Sequence, residues 1–438
     1  MINFRAIFLV IGYFLCFFAS LMLIPLSVEL YFGHPNWEAF AMAIAIEFCS
    51  GICFILINRG IKLRDINIKD TFLLTSSSWI LLICFAALPF HFSVSQFSLL
   101  NSLFEATSGL TTTGATMIAD LEAISPGLHV WRALLEWVGG IGIIVMAIAV
   151  MPLLRIGGMQ LFRAESSDKS EKIFPRARKI AKIISLIYLT FTVICATLLY
   201  LSGMTMFDAI LHSFTTVSTG GFSTHNESIA FFDNVKIEII IMCFILLGSI
   251  PFPIYIRMFK GKMNAMIKDQ QVVFLFLLLF LFIAIMTAWM VKNHPDMGFA
   301  EIFRLTSFNV ISIITTTGFT SADYTAWGYF PMLLMFFTCV IGGCTGSTTG
   351  GIKILRIQIL FEIVKYQINR LIQPHGVFKL QYNHKVVSDN TETAIMCFFI
   401  VFCSTFMLVA ILLAATGLDF ITSISATASS LANVGPAL

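Results

Sequence analysis

The sequence predicts an all-α polytopic membrane protein: four pseudo-repeats of helix, re-entrant pore loop and helix around a central pore, preceded by an N-terminal helix pair. Three observations lead there. Hydrophobic residues make up 58% of the 438-residue chain and charged residues only 12%, a balance that water-exposed globules do not carry. Apolar stretches long enough to cross about 30 Å of hydrocarbon as helices run through nearly the whole chain. Between certain pairs of them lie short, polar-tinged segments that all place a glycine at one register.

Nine apolar stretches are expected to span, at residues 4–30, 37–56, 71–89, 127–154, 180–201, 235–255, 272–290, 329–364 and 394–415. The first is too long and uninterrupted for a signal peptide, and no small-residue cleavage site follows it. The first two form the extra pair, within residues 1–66. The pore repeats are then expected at 67–160, 161–264, 265–372 and 373–438. The chain stops at Leu438, so the fourth repeat is expected to lack its inward-going helix.

Basic residues cluster in four loops: Arg59, Lys62, Arg64 and Lys69; Arg155, Arg163, Lys169, Lys172, Arg176, Arg178, Lys179 and Lys182; Arg257, Lys260, Lys262 and Lys268; and Lys353, Arg356, Lys365, Arg370, Lys379 and Lys385. Lys and Arg collect on the cytoplasmic side, which places these loops and the amino terminus with Arg5 inside. Arg132, Lys236, Lys292 and Arg304 remain for the outer half, beside Glu29, Glu38, Asp120, Glu122, Asp208, Glu227, Asp233, Asp296, Glu301, Asp323 and Asp419. Such an acid-rich face would concentrate cations at an entrance, although acids without a preferred side would give the same count. The ten cysteines fall mostly within apolar spans and read as small core hydrophobes, with neither metal-finger spacing nor a redox CxxC.

The short segments are residues 104–116 (FEATSGLTTTGAT), 211–223 (LHSFTTVSTGGFS), 308–320 (FNVISIITTTGFT) and 425–437 (SATASSLANVGPA). Aligned without gaps they superpose Gly114, Gly221, Gly318 and Gly435, about 100 residues apart, the length of a helix, hairpin and helix unit. Non-helical backbone at membrane depth is tolerated only where it lines a cavity, so four such returns imply a pore. A dehydrated cation needs several oxygen ligands at once, and rings of main-chain carbonyls supply them without full charges. Thr111, Thr112, Thr113 and Gly114 suit that task, threonine favouring extended backbone and glycine allowing positive φ. Ser218, Thr219, Gly220 and Gly221 do the same in the second repeat, and Thr315, Thr316, Thr317 and Gly318 in the third. The fourth departs, with Ala432, Asn433, Val434 and Gly435 before Pro436, but its carbonyls would still serve. Half-helices over 97–110 and 208–216 would aim their carboxyl ends inward, where the negative end of the dipole favours a cation.

TTTGA at Thr111, STGGF at Ser218, TTTGF at Thr315 and NVGP at Asn433 resemble the four filter signatures of the Trk/Ktr/HKT potassium transporters, nearest to the bacterial TrkH branch, which also has an extra N-terminal pair. The resemblance covers essentially the whole chain. It implies potassium uptake across the bacterial inner membrane, passive or coupled to protons or sodium, with potassium as cargo and no organic cofactor. A glycine at the register of Gly114 goes with potassium in that family, and serine with sodium. The resemblance further implies a homodimer of pores in the lipid bilayer and a cytoplasmic nucleotide-binding ring of the TrkA kind. Residues 156–182 could dock that partner, or contact anionic lipid instead. No nucleic-acid partner is expected.

Gly342, Gly343, Cys344, Thr345, Gly346, Ser347, Thr348, Thr349, Gly350 and Gly351 form a second feature. Five glycines in ten residues, each costing about 1 kcal/mol relative to alanine in a helix, should break the third repeat's inward helix near mid-membrane. That break is either a passive kink or, as the resemblance implies, a mobile gate below the filter. Gly139, Gly140 and Gly142, and Pro251 with Pro253, read mainly as packing irregularities. Arg132 and Glu136 lie four apart and can pair. Glu105, His212 and Arg304 sit on half-helices and should buttress the filter; Lys353 is either a positive-inside residue or part of the gate, and Glu47 has no evident role. A carrier for a larger solute should instead show twofold repetition and paired midplane charges. An intramembrane enzyme should show HExxH, GxSG or GxGD, none of which occurs.

Overall fold

The structure is a computed structural model that describes residues 2–60, 68–93, 97–145, 173–383 and 385–436. α1 (Phe4–Leu21) and α2 (Leu23–Phe32) run on as one span. The Asn3 side chain accepts from the Ala6 N–H to start it, and left-handed Gly33 ends it. α3 (Trp37–Ile57) returns beside α1. They cross where Gly12 faces Gly51, and a methyl group on either would press into the other helix. Lipid gives helices no hydrophobic reason to associate, so such close approach between small residues is what holds the pair. Glu47 is buried on α3, and neither carboxylate oxygen has a partner among the described residues.

The first repeat holds α4 (Ile68–Ala86), α5 (Leu88–Phe92), α6 (Leu99–Leu110) and α7 (Pro126–Val145). The second holds α8 (Ile173–Leu201), α9 (Met206–Val217), α10 (Val235–Ser249) and α11 (Phe252–Phe259). After the single turn α12 (Ala265–Lys268), the third holds α13 (Gln270–Asn293), α14 (Phe299–Ile314), α15 (Tyr329–Cys339) and α16 (Ile354–Ile372). A small antiparallel hairpin, β1 (Gln381–Tyr382) and β2 (Lys385–Val386), then leads to α17 (Asp389–Ala415) and α18 (Phe420–Ala432) of the fourth. The hairpin seats Leu380, Tyr382 and Val387 on Leu355, Ile359 and Ile363 of α16.

Among the described residues, seven helices are long and apolar enough to cross a membrane, or eight when α10 and α11 count as one span bent by 90°. The eighth expected span, 329–364, is two helices instead: α15 has 11 residues, too few to cross alone, and α16 carries Arg356, Glu362, Lys365 and Arg370. Pro251 and Pro253, expected to mark packing, lie at the 90° break between α10 and α11. Proline removes a helix donor and clashes with the preceding turn, which enforces the bend. The cysteine expectation also needs correction. Cys195, Cys339 and Cys344 are buried, but Cys49, Cys53, Cys84, Cys243 and Cys397 are exposed, because the outer surface of this bundle is as apolar as its core. Most of the second basic loop, including Arg155, Arg163, Lys169 and Lys172, lies outside the described residues.

Candidate functional site

Four short helices, α6, α9, α14 and α18, end in the same way. Ser98, Thr205 and Asp419 cap three of them, each side chain accepting from a first-turn N–H. At the other end the chain turns left-handed at Thr112 (φ 60°), Thr219 (53°), Thr316 (58°) and Asn433 (66°), and again at Gly114 (82°), Gly221 (89°), Gly318 (87°) and Gly435 (101°). The residue after each first turn reaches back five residues: Thr113 to Ser108 O at 2.8 Å, Gly220 to Thr215 O at 2.9 Å, Thr317 to Ser312 O at 2.8 Å and Val434 to Ser429 O at 2.9 Å. This bond closes a helix whose C′ residue is left-handed. A β-branched residue there is strained by about 1–2 kcal/mol, so three threonines in one register signal a conformation the surroundings impose.

The four turns close a ring. A methyl group built on Gly114 would collide with the Gly220 carbonyl oxygen, one on Gly221 with Thr317 O, one on Gly318 with Val434 O, and one on Gly435 with Thr113 O. Each strand therefore abuts the next, first to second to third to fourth and back to first. Glycine is required on both counts, positive φ and absence of Cβ. The structure thus brings the four sequence-selected segments side by side in one cyclic order. Gly139 and Gly248 set the helices that follow against the helix ends, the first packing on Leu110 O and the second on Val217 O, whereas Gly142 meets nothing among the described residues.

The glycine-rich segment lies under the ring. Its ends are pinched together, Gly342 against Gly351, with Ile352 N bonded to Val340 O at 3.0 Å and Lys353 N to Ile341 O at 2.9 Å. The segment meets three of the four turns: the Thr219 hydroxyl donates to Thr348 Oγ1 at 3.0 Å, Gly350 N to Thr316 Oγ1 at 2.6 Å, and Gly351 N to Ala432 O at 2.8 Å. The break between α10 and α11 holds it laterally, with Cys344 N on Ser249 O, Thr348 N on Gly248 O and Phe252 N on Gly346 O. Thr349 Oγ1 accepts from Gly343 N, and Lys353 Nζ donates to Ser347 O at 3.4 Å. Buried Gln271 at the start of α13 accepts from Thr345 N at 2.9 Å. Irregular backbone at this depth persists because partners of this kind satisfy its polar groups.

On the other side of the ring, one register on the short helices straps the exit strands. Nine residues before its glycine, Glu105 accepts from Thr116 Oγ1 at 3.0 Å and Met117 N at 3.1 Å. His212 bonds Ser223 Oγ at 3.0 Å, and Asn309 donates to Ser321 Oγ at 3.1 Å. Asn309 and Gln271 escaped the sequence reading; Asn309 had a signal, since it occupies the same register as Glu105 and His212. The fourth repeat has Ala426 there.

One expected pairing and one expected role differ. Arg132 bonds Glu105, Nε to Oε1 at 2.7 Å, and not Glu136. Glu136 instead accepts from Phe222 N at 3.2 Å and packs on Gly220. A main-chain N–H at membrane depth needs a partner more than an ion pair needs one particular acid. Arg304 does not buttress an exit strand; its Nη1 lies 3.3 Å from Glu238 Oε1, on α10. The acidic residues expected on the outer face are also partly internal. Glu29 is buried against Ser125 and His34, and Asp208 accepts from Thr205 and Thr224 at 2.7 Å. Asp323 and Asp419 do stay exposed, and hydrogen bonds from Thr325 and Thr422 respectively hold them below the usual carboxylate range, so both remain charged.

The sequence matches the TrkH family, described as "Cation transport protein", over residues 42–438. The Trk system potassium uptake protein TrkI of Halomonas elongata is 40% identical over 421 residues, 96% of this chain and 85% of that protein. Trk system potassium uptake protein TrkH of Escherichia coli K12 is 33% identical over 440 residues, 100% of this chain and 91% of that one. The crystal structure of the potassium transporter TrkH from Vibrio parahaemolyticus superposes with a TM-score of 0.92 at 32% identity, covering 100% of this chain and 91% of that one. With the family, two relatives and a full-length fold in agreement, the chain belongs to the TrkH family of cation transport proteins.

Proposed function

We propose that this chain takes up potassium across the bacterial inner membrane, its ions passing in single file through the ring of four glycine-centred turns. The observation that carries the reading is the cyclic order of glycine-on-carbonyl contacts. A closed ring of main-chain oxygens replaces a hydration shell without introducing full charge. Thr111 to Gly114, Ser218 to Gly221, Thr315 to Gly318 and Ala432 to Gly435 form the filter in this reading, with no catalytic step. Residues 342–351 form the gate, since they bond three of the four turns from below. The amino terminus is cytoplasmic, and transport is passive or coupled to protons or sodium. A second copy forms the dimer, and a nucleotide-binding ring acts on the cytoplasmic loops.

Gly114→Ser is the direct test. The serine side chain must push back the Gly220 carbonyl, and the widened ring should admit sodium. In proteoliposomes, wild-type rubidium influx is expected to resist a tenfold excess (about one log unit) of external sodium, while the variant loses most of that discrimination. Equal sodium sensitivity in both would remove the ring from the ion path. Gln271→Leu tests the gate separately. It leaves the Thr345 N–H unsatisfied at a cost of about 1–3 kcal/mol to the seated loop, so basal influx without any partner should rise. Unchanged basal influx would mean that the segment is a passive break.

A further inference from the structure

The fourth turn shares the backbone of the others but not the direction of its side chain. At the left-handed position, the Thr219 and Thr316 hydroxyls engage the segment below, at Thr348 and Gly350. Asn433, at the same register, turns sideways onto the first strand. Its Nδ2 donates to Thr111 O at 2.6 Å and Thr112 O at 3.2 Å, and its Oδ1 accepts from Thr113 Oγ1.

Those two main-chain oxygens are ligands of the kind a dehydrated cation requires, and the amide hydrogens of Asn433 present partial positive charge to the same lone pairs. Main-chain oxygens so engaged are weaker partners for an ion. We propose that the Asn433 amide is a built-in cation surrogate, which occupies the inner end of the ring while the segment below is seated and swings away to admit an ion. The inference rests on the ring being the ion path. The coupling to the segment is direct. Gly351 N bonds Ala432 O at 2.8 Å, and a methyl on Gly350 would strike Ala432 O and Asn433 Cβ. The seated segment thus packs against the residue pair that aims the amide, and its departure frees Asn433 to rotate.

The test uses two variants that keep the turn. Asn433→Gly adopts φ 66° without strain and removes the amide. Asn433→Asp keeps size and tolerance of the left-handed region but offers no N–H in its ionised form. With the full chain in proteoliposomes and rubidium as the probe, both should raise influx by about threefold to tenfold, the population shift expected when roughly one neutral hydrogen bond is lost. Unchanged influx in both overturns the proposal. So does loss of influx or of folding in both, since the amide would then be a structural tie between the fourth and first strands. A wild-type protein that passes no rubidium would instead defeat the transport reading on which the proposal stands, and the two failures are distinguished in one experiment.

Discussion

Gly221→Ala is expected to abolish rubidium uptake, whereas Gly142→Ala should leave it unchanged. The two glycines differ in surroundings more than in chemistry. A methyl group on Gly221 would fall far inside van der Waals contact distance of Thr317 O, at a backbone φ of 89°, while one on Gly142 meets nothing within 4 Å among the described residues. Strain at the positive φ costs about 1–2 kcal/mol, and overpacking adds roughly 1–3 kcal/mol. Relief can come only from moving the third strand, whose carbonyl would leave the ring. That strand is in turn pressed by the fourth through Gly318 and Val434, so the disturbance is passed around the ring and not absorbed locally. Growth of a potassium-uptake-deficient bacterium in low potassium, with membrane insertion checked by immunoblot, reads the outcome. Wild-type growth with Gly221→Ala would show that the ring yields freely and that its cyclic contacts do not constrain an ion.

The sequence made the repeat legible because its requirement is local. A left-handed return admits few residue types, so Gly114, Gly221, Gly318 and Gly435 stand in register without reference to any partner. The break at 342–351 was legible for the same reason: five glycines do not make a helix. The order of the strands was not, because Gly114 meeting Gly220, and Gly435 meeting Thr113, are contacts between distant segments. Arg132 misled by its spacing. A partner four residues away on the same helix is geometrically available, but Glu136 is taken by the Phe222 N–H and Glu105 is presented from α6. The cysteines misled by composition, since in lipid an apolar residue does not have to be inside. Asn433 looked like a departure from the threonine pattern, and only its contacts with Thr111, Thr112 and Thr113 show that the departure lies in its side chain.

Arg132→Met should cost about 3–5 kcal/mol of stability, the penalty for breaking a buried ion pair from one side. Arg132 is 1% exposed and Glu105 2%. The guanidinium bonds Glu105 Oε1, donates to Ser223 O at 3.0 Å and lies over the Phe222 ring at 4.0 Å. It therefore joins the first repeat's exit strand, which Glu105 holds through Thr116 and Met117, to the exit strand of the second. Arg132→Lys should not rescue it, because a point ammonium reproduces neither the forked donors nor the planar stacking. The double variant Arg132→Met with Glu105→Gln separates the two roles. Neutralising the stranded carboxylate should recover much of the melting temperature in detergent, since buried pairs are often replaceable by uncharged groups. Discrimination against sodium should stay impaired, because Ser223 O has still lost its tether. A cycle in which the single-variant costs simply add would show that the two side chains are not coupled, and a single Arg132→Met variant as stable as wild type would mean that the exit strands are held without this bridge.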